Sequence, residues 1–272
     1  MICVVWESGG SARRRKILPE YKLNRRPERL NRFYEDDFPE TDSNRQHQII
    51  LLLNALKRVP ACQIYVPNCE GDDVIAYLSR GPFRADERVI ASSDKDMYQL
   101  LDSKTSVYNF HKKTYVTAED VFEQYRIRPY NFALAKTLCG DPTDNVPGIK
   151  GVGFKTAVKR FPMLGSDDVV LLTDLFSFCA AHADESAVYE RVLGQKSDLE
   201  RNWRLVHLDG SMLSAAQASK VDSVVNTFKP RVDKLGFIKL LVDEGINDFD
   251  VDSFFYAFNC IEGVEYSSRS NR

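Results

Sequence analysis

The sequence has few histidines and no pair of cysteines at CxxC spacing. Its four histidines and its six cysteines, at 3, 62, 69, 139, 179 and 260, never fall at zinc-finger intervals. That excludes a zinc module and a disulfide-stapled scaffold, and it points to buried or free thiols in a reducing compartment. No apolar run approaches the roughly 18 residues of a membrane span, and the opening MICVVW is far shorter than a signal-peptide core. A soluble cytoplasmic protein with no membrane partner is therefore expected. Internal repeats and low-complexity linkers are absent too, which argues against solenoids and loosely tethered modules. An excess of one charge is also missing: 37 Lys+Arg stand against 39 Asp+Glu, a formal charge of −2, which disfavours a wholly basic nucleic-acid coat.

What is present is an ordinary globular composition, 43% hydrophobic and 28% charged over 272 residues, long enough for a substantial core. ICVVW (2–6), CQIYVP (62–67), RVIASS (88–93) and KTSVYNF (104–110) read as strands. Between them, a helix beginning at Asp42 or Ser43 runs through QHQIILLLNALKRV, and DDVIAYLSR (72–80) reads as a second with Val74, Ile75 and Leu78 inward. This alternation predicts an α/β core with a parallel sheet between helices. Downstream the pattern turns helical, with one short extended piece expected at NWRLVHL (202–208). The expected organisation is an α/β core over 1–128, including a basic segment at 11–34, and a helical region over 129–272.

Three carboxylate groups fall at element ends, where ligands of such sheets collect. They are Glu70, Asp72 and Asp73 in CEGDD, Asp94 and Asp96 in SSDKD, and Asp141 and Asp144 in CGDPTDN. Taken singly, each has a structural alternative: Asp72 and Asp73 suit a helix N-terminus, and Asp141 and Asp144 suit a turn around Pro142. Taken together, so many carboxylates repel unless cations neutralise them, and all-oxygen ligands favour Mg²⁺ or Mn²⁺. Two such ions roughly 3.5–4 Å apart are suited to phosphodiester hydrolysis, one preparing the attacking water and the other stabilising the leaving oxygen. Lys95, between Asp94 and Asp96, either helps to hold the reacting phosphate or forms a surface ion pair. Cys69, beside this cluster, reads as packing, because thiolates do not suit hard cations.

The charge balance conceals a basic half. Residues 11–33 carry Arg13, Arg14, Arg15, Lys16, Lys22, Arg25, Arg26, Arg29 and Arg32 against only Glu20 and Glu28. The interleaved Tyr21, Phe33 and Tyr34 suit a single strand whose phosphates meet arginines while its bases stack on rings; a solvated charged face is the alternative. VPGIKGVGFKTAVKRF (146–161) sets Gly148, Gly151 and Gly153 around a hairpin that opens a helix, followed by Lys155 and Thr156 with Lys150 inside the turn. That pattern reads as a backbone clamp on a nucleic-acid strand. The GxxxxGK[ST] spacing of a nucleotide-binding loop is not met.

EGDDVIAYL, SSDKDMYQLL and GDPTDNVPGIKGVGFKTA, in that order, closely resemble the metal-binding and helix–hairpin–helix motifs of the 5′-nuclease superfamily, the 5′-to-3′ exonucleases and flap endonucleases of bacteria and phages. VVWESGGSARRRKILPEYKLNR resembles the strand and arch that begin that family's core. The resemblance is strong over 2–162 and weaker beyond. It implies a PIN-like parallel-sheet core with a helical DNA-binding lobe (130–161), and a divalent-metal-dependent 5′ nuclease acting on DNA with 5′ flaps or single-stranded 5′ ends, or on RNA primers, in replication or repair. Carried over by position, Glu70 and Asp72 hold a first Mg²⁺ or Mn²⁺, with Asp73 in or beside that shell, and Asp94, Asp96, Asp141 and Asp144 hold a second. Glu7 stands where the family has aspartate. Tyr21, Lys22 and Arg25 line the arch, Lys95 contacts the scissile phosphate, and K⁺ sits in the hairpin on carbonyls between Val146 and Val152. A monomer with a transient replisome partner is implied. The family begins with a further strand carrying an IDGNN-like Asp, so the resemblance implies that one strand and one metal-shell carboxylate precede this chain. A nucleic-acid-binding homologue impaired in catalysis is the alternative. A PIN-type RNase would have no use for the 146–161 hairpin.

Overall fold

The computed structural model describes residues 1–7, 9–23, 41–261, 263 and 265–266. In chain order the elements are β1 (Ile2–Trp6), α1 (Ala12–Ile17), α2 (Asp42–Leu56), β2 (Ala61–Tyr65), α3 (Gly71–Arg80), β3 (Arg88–Ala91), β4 (Thr105–Asn109), β5 (Thr114–Val116), α4 (Ala118–Tyr125), α5 (Phe132–Cys139), α6 (Phe154–Arg160), α7 (Leu172–Ala181), α8 (Ala187–Gly194), α9 (Lys196–Val206), α10 (Ala215–Thr227), β6 (Arg231–Val232), α11 (Lys234–Asp243), α12 (Val251–Tyr256) and β7 (Glu265–Tyr266). Among the described residues no helix is long and apolar enough to cross a membrane.

The chain divides into two units. One comprises Met1–Trp6, Arg26–Val66 and Ser219–Arg272. In it the β-branched run of β1 pairs in parallel with β2, from Ile2 opposite Ala61 to Trp6 opposite Tyr65. The Trp6 indole donates to Gln63 Oε1 at 3.1 Å, and Gln63 Nε2 donates to the Leu53 carbonyl at 3.2 Å, which ties the pair to α2. Thr41 caps α2, its hydroxyl accepting from Asn44 N at 3.1 Å, so the cap lies one residue before the Asp42 or Ser43 expected from the sequence. Val59, Ala61, Val232, Phe237, Leu241, Phe255 and Phe258 form this unit's core.

The other unit comprises Glu7–Arg25 and Pro67–Ala218. Here β3 runs parallel to β4, and β4 pairs antiparallel with β5. The expected parallel sheet is therefore seen as two pieces, β1–β2 and β3–β4–β5. The third strand of the second piece is antiparallel because residues 110–113 allow only a hairpin return. Its core gathers Met97, Val107, Val121, Phe132, Leu138, Phe161, Leu175 and Leu199. The extended piece expected over 202–208 is instead helical through Val206, because Leu199, Asn202, Leu205 and Val206 recur at helical spacing and all four are buried on one face of α9. Helix α5, FALAKTLC, is buried along all but its last residue.

A candidate metal centre

The acidic residues belong to the second unit and are presented by element ends. Glu70 is the N-cap of α3, and Asp72 and Asp73 lie in its first turn. Asp94 caps the 3-10 turn Lys95–Leu100, its Oδ1 accepting from Asp96 N at 2.9 Å. Asp141 caps the turn Pro142–Asp144, its Oδ1 accepting from Thr143 N at 3.0 Å. Glu7 Oε2 accepts from Gly71 N at 3.0 Å, which brings it to the start of α3.

Cationic and hydroxyl groups stitch these segments together. Lys22 Nζ lies 2.7 Å from Glu70 Oε2 and 3.7 Å from Asp144 Oδ2. The buried Tyr21 hydroxyl spans the same two oxygens at 3.2 and 3.5 Å. Lys136, on α5, pairs with Asp96 Oδ1 and, at 3.0 Å, with Asp141 Oδ2. Sequence reasoning passed over Lys136; the signal was there, as the lone charge in an apolar helix that must find partners. Arg14, on α1, is 1% exposed and donates to both Asp73 oxygens at 2.5 and 2.7 Å, while its Nε donates to the Leu205 carbonyl at 2.8 Å.

Two residues expected to meet nucleic acid are therefore turned inward. Arg14 is enclosed, with its guanidinium turned to Asp73, Glu70 and the Leu205 carbonyl, so it offers no donor to a phosphate. Tyr21, 6% exposed, has no free ring face for a base, because the ring packs in a buried cluster with Val146, Leu205 and Val206 while its hydroxyl reaches Glu70 and Asp144. Arg13 and Arg15 remain exposed, bonded to the carbonyls of Ser211 at 2.6 Å and Gly9 at 3.1 Å. Lys95 is exposed, with its ammonium 5.8 Å from the centre of the Tyr125 ring. Arg25, like Phe33 and Tyr34, lies outside the described residues.

The electrostatics follow from these contacts. Burial works against the charge on Glu70, but Arg14, Lys22 and Tyr21 outweigh it and hold its carboxyl below the usual range. Asp141 is likewise held low against burial by Lys136 and backbone N–H groups. Asp72 is pushed up to about 7, first by burial and then by the charges of Asp94, Glu70 and Asp96, with Lys22 opposing. Asp96 is also raised, chiefly by burial. Burial pushes the Cys69 thiol up to about 11, in keeping with a packing role.

Among the described residues, no three His, Cys, Asp or Glu side chains are grouped closely enough to hold a metal ion. The chemistry of the site nevertheless fits a hard divalent cation. The donors are all carboxylate oxygens, negative charge is under-compensated at Asp72, and Glu70 Oε1 is buried without a hydrogen-bond partner. One consequence is measurable without a substrate. A carboxyl whose folded-state pKa is raised costs nothing below its unfolded value near 4, and destabilises the fold as pH climbs through about 7. Asp72→Asn should therefore leave stability unchanged near pH 4 and raise it by on the order of a few kcal/mol at pH 8 in chelator, as read by urea unfolding.

The 146–152 hairpin packs against the end of α5. Ile149 N donates to the Leu138 carbonyl at 2.8 Å, and Val146, Ile149 and Val152 are buried. A Cβ on Gly148 would lie 2.0 Å from the Cys139 carbonyl oxygen, whereas one on Gly153 meets nothing within 4 Å. Gly148→Ala is thus expected to cost about 1–3 kcal/mol by overpacking, with Gly153→Ala near neutral; urea midpoints would show the contrast. Gly151, at φ +79°, needs glycine for its turn. Lys150 and Lys155 point outward, and Thr156 is half-buried on α6. Asn202 Nδ2 donates to the Pro147 carbonyl at 2.6 Å, and Arg191 donates to that of Lys150, so α9 and α8 brace the turn.

An α/β core with carboxylates at element ends, joined to a braced glycine hairpin, defines a nuclease-type fold, and the chain is similar to members of the 5′-nuclease superfamily. Residues 1–126 match the family described as 5′-3′ exonuclease, N-terminal resolvase-like domain. The chain is 30% identical over 208 residues to a 5′-3′ exonuclease of Aquifex aeolicus, covering 76% of this chain and 64% of that protein. It is 31% identical over 206 residues to a thermostable DNA polymerase I of Thermus aquaticus, covering 75% of this chain and 22% of the polymerase. T5 5′-exonuclease with bound zinc has the same fold, with a TM-score of 0.63 at 20% identity over 82% of this chain and 83% of that one. The chain thus spans less than two thirds of the Aquifex aeolicus exonuclease and of the Thermus aquaticus polymerase.

Proposed function

We propose that the protein is a divalent-metal-dependent 5′ nuclease that hydrolyses phosphodiesters in DNA bearing a 5′ flap or single-stranded 5′ end, and in RNA primers paired with DNA, during replication or repair. The observation that carries this reading is the convergence of three separate chain segments. Tyr21 and Lys22 bridge Glu70 to Asp144, and Lys136 bridges Asp96 to Asp141. Glu70, Asp72, Asp94, Asp96, Asp141 and Asp144 would hold two Mg²⁺ or Mn²⁺ ions, with Glu7 at the margin and Asp73 serving as the partner of Arg14. Such ions, when bound, acidify an attacking water and neutralise charge on the leaving oxygen. Lys22, Lys95 and Arg25 would position the scissile phosphate. The exposed Arg13, Arg15, Lys150 and Lys155, with Thr156 and the backbone at Gly148, Gly151 and Gly153, would track the strand. Hairpin carbonyls would take K⁺. A cytoplasmic monomer with a transient replisome partner completes the reading, the nuclease role falling to 1–128 and duplex binding to 129–272.

A linear substrate with a single-stranded 5′ end should be degraded in Mg²⁺ while a circular single strand, which offers no 5′ end, stays intact. Equal degradation of both would overturn the reading. The ion pairs that Lys22 and Lys136 make with the carboxylates support a second reading, a DNA-binding homologue without turnover. It predicts salt-dependent flap binding in EDTA and no product in Mg²⁺ or Mn²⁺.

A further inference from the structure

Arg14 is the largest fully buried charged side chain among the described residues, and the nuclease reading gives it no task. Its guanidinium sits where α1, α3 and the end of α9 meet, bonded bidentately to Asp73 and, through Nε, to the Leu205 carbonyl. The same Nη1 stands 3.3 Å from Glu70 Oε2. Asp73 in turn accepts from Glu70 N at 3.3 Å, so one arginine acts on both the backbone and the side chain of Glu70.

The consequence lies in how the two Glu70 oxygens are used. Oε2 is crowded by Lys22, Tyr21 and Arg14, at 2.7, 3.2 and 3.3 Å, whereas Oε1 is buried and accepts no hydrogen bond. A carboxylate whose donors all converge on one oxygen has its plane fixed and its other oxygen kept bare. A buried bare oxygen is costly unless a cation takes it.

We infer that Arg14 is a positioning residue that locks the Glu70 carboxylate so that Oε1 is kept for a divalent cation, with Asp73 acting as the anchor of Arg14 and not as a metal ligand. The inference rests on the nuclease reading of the same site. Arginine suits the task because only its planar fork can hold Asp73 at two points while a third nitrogen reaches Leu205. Lysine would keep the charge and lose the geometry.

The test is Mn²⁺ affinity, read from the disappearance of the free-ion paramagnetic resonance signal in the full chain without DNA. Arg14→Lys should weaken binding about 10- to 100-fold, the size of effect found when a group that orients a metal ligand is lost. Arg14→Met/Asp73→Leu replaces the buried pair with apolar volume, so that the fold is retained while Glu70 loses its lock. It should show the same loss of affinity together with a cooperative melt. Either folded variant binding Mn²⁺ as tightly as the parent overturns the role of Arg14 and leaves the nuclease reading standing. A parent chain that takes up no Mn²⁺ overturns the nuclease reading and this inference with it.

Discussion

Arg14→Ala should lower the stability of the protein by about 3–5 kcal/mol, among the largest effects of any single substitution in the chain. Asp73 and Glu70 are both essentially enclosed, at 1% and 3% exposure, and the truncation leaves them buried with their principal cation gone. The Leu205 carbonyl loses its donor as well. Attraction between two exposed charges would be worth a fraction of this, and the difference is the cost of an unpaired buried carboxylate. Arg15→Ala, one residue on and exposed, is the control and should change stability by less than about 0.5 kcal/mol. Urea unfolding of the two variants side by side gives the answer. A small effect at Arg14 would mean that Asp73 finds water or another donor, and that the α1–α3 junction is looser than its hydrogen bonds imply.

The second large effect concerns activity. Asp141→Asn should reduce Mg²⁺-dependent cleavage at least about a hundredfold while leaving the fold intact. Asp141 lies at the junction of two functions: its Oδ2 faces Lys136, and its backbone N–H and carbonyl pair with Val146 at the root of the hairpin. The amide keeps the shape and the backbone pairing but loses half of the charge balance at Lys136, and it weakens the site's hold on a cation. DNA binding in EDTA should change little, which separates a metal defect from a binding defect. Glu119→Gln, an exposed residue paired with Arg128, should leave the rate unchanged.

Much of this was legible in the sequence, and what was not has identifiable physical causes. β-branched runs marked β1 to β4 because strands of this length are half or fully buried and need such residues. The carboxylate groups stood out because they recur at element ends, and the structure gathers them through lysines and a tyrosine. Hidden from sequence were the directions of individual side chains within a charged run. In SARRRK nothing distinguishes Arg14 from Arg13 and Arg15; the helical register of α1 turns only the middle arginine inward, against an aspartate 59 residues away. Tyr21 was hidden for the same reason, since its hydroxyl partners lie 49 and 123 residues distant. Strand pairing was illegible because two short sheets and one continuous sheet can arise from the same alternating runs. The NWRLV segment carries both an extended and a helical pattern, and burial of Leu199 and Asn202 together with Leu205 decides for the helix.

The most direct measurement is the position of the cut in a 5′-flap duplex. With the label on the 3′ end of the flap strand, protein in excess and Mg²⁺ present, the account predicts a shortened labelled product cut at or beside the flap junction. It predicts none in EDTA and none with Asp141→Asn. Intact substrate in Mg²⁺ and in Mn²⁺, or shortening that proceeds from the 3′ end, would contradict it.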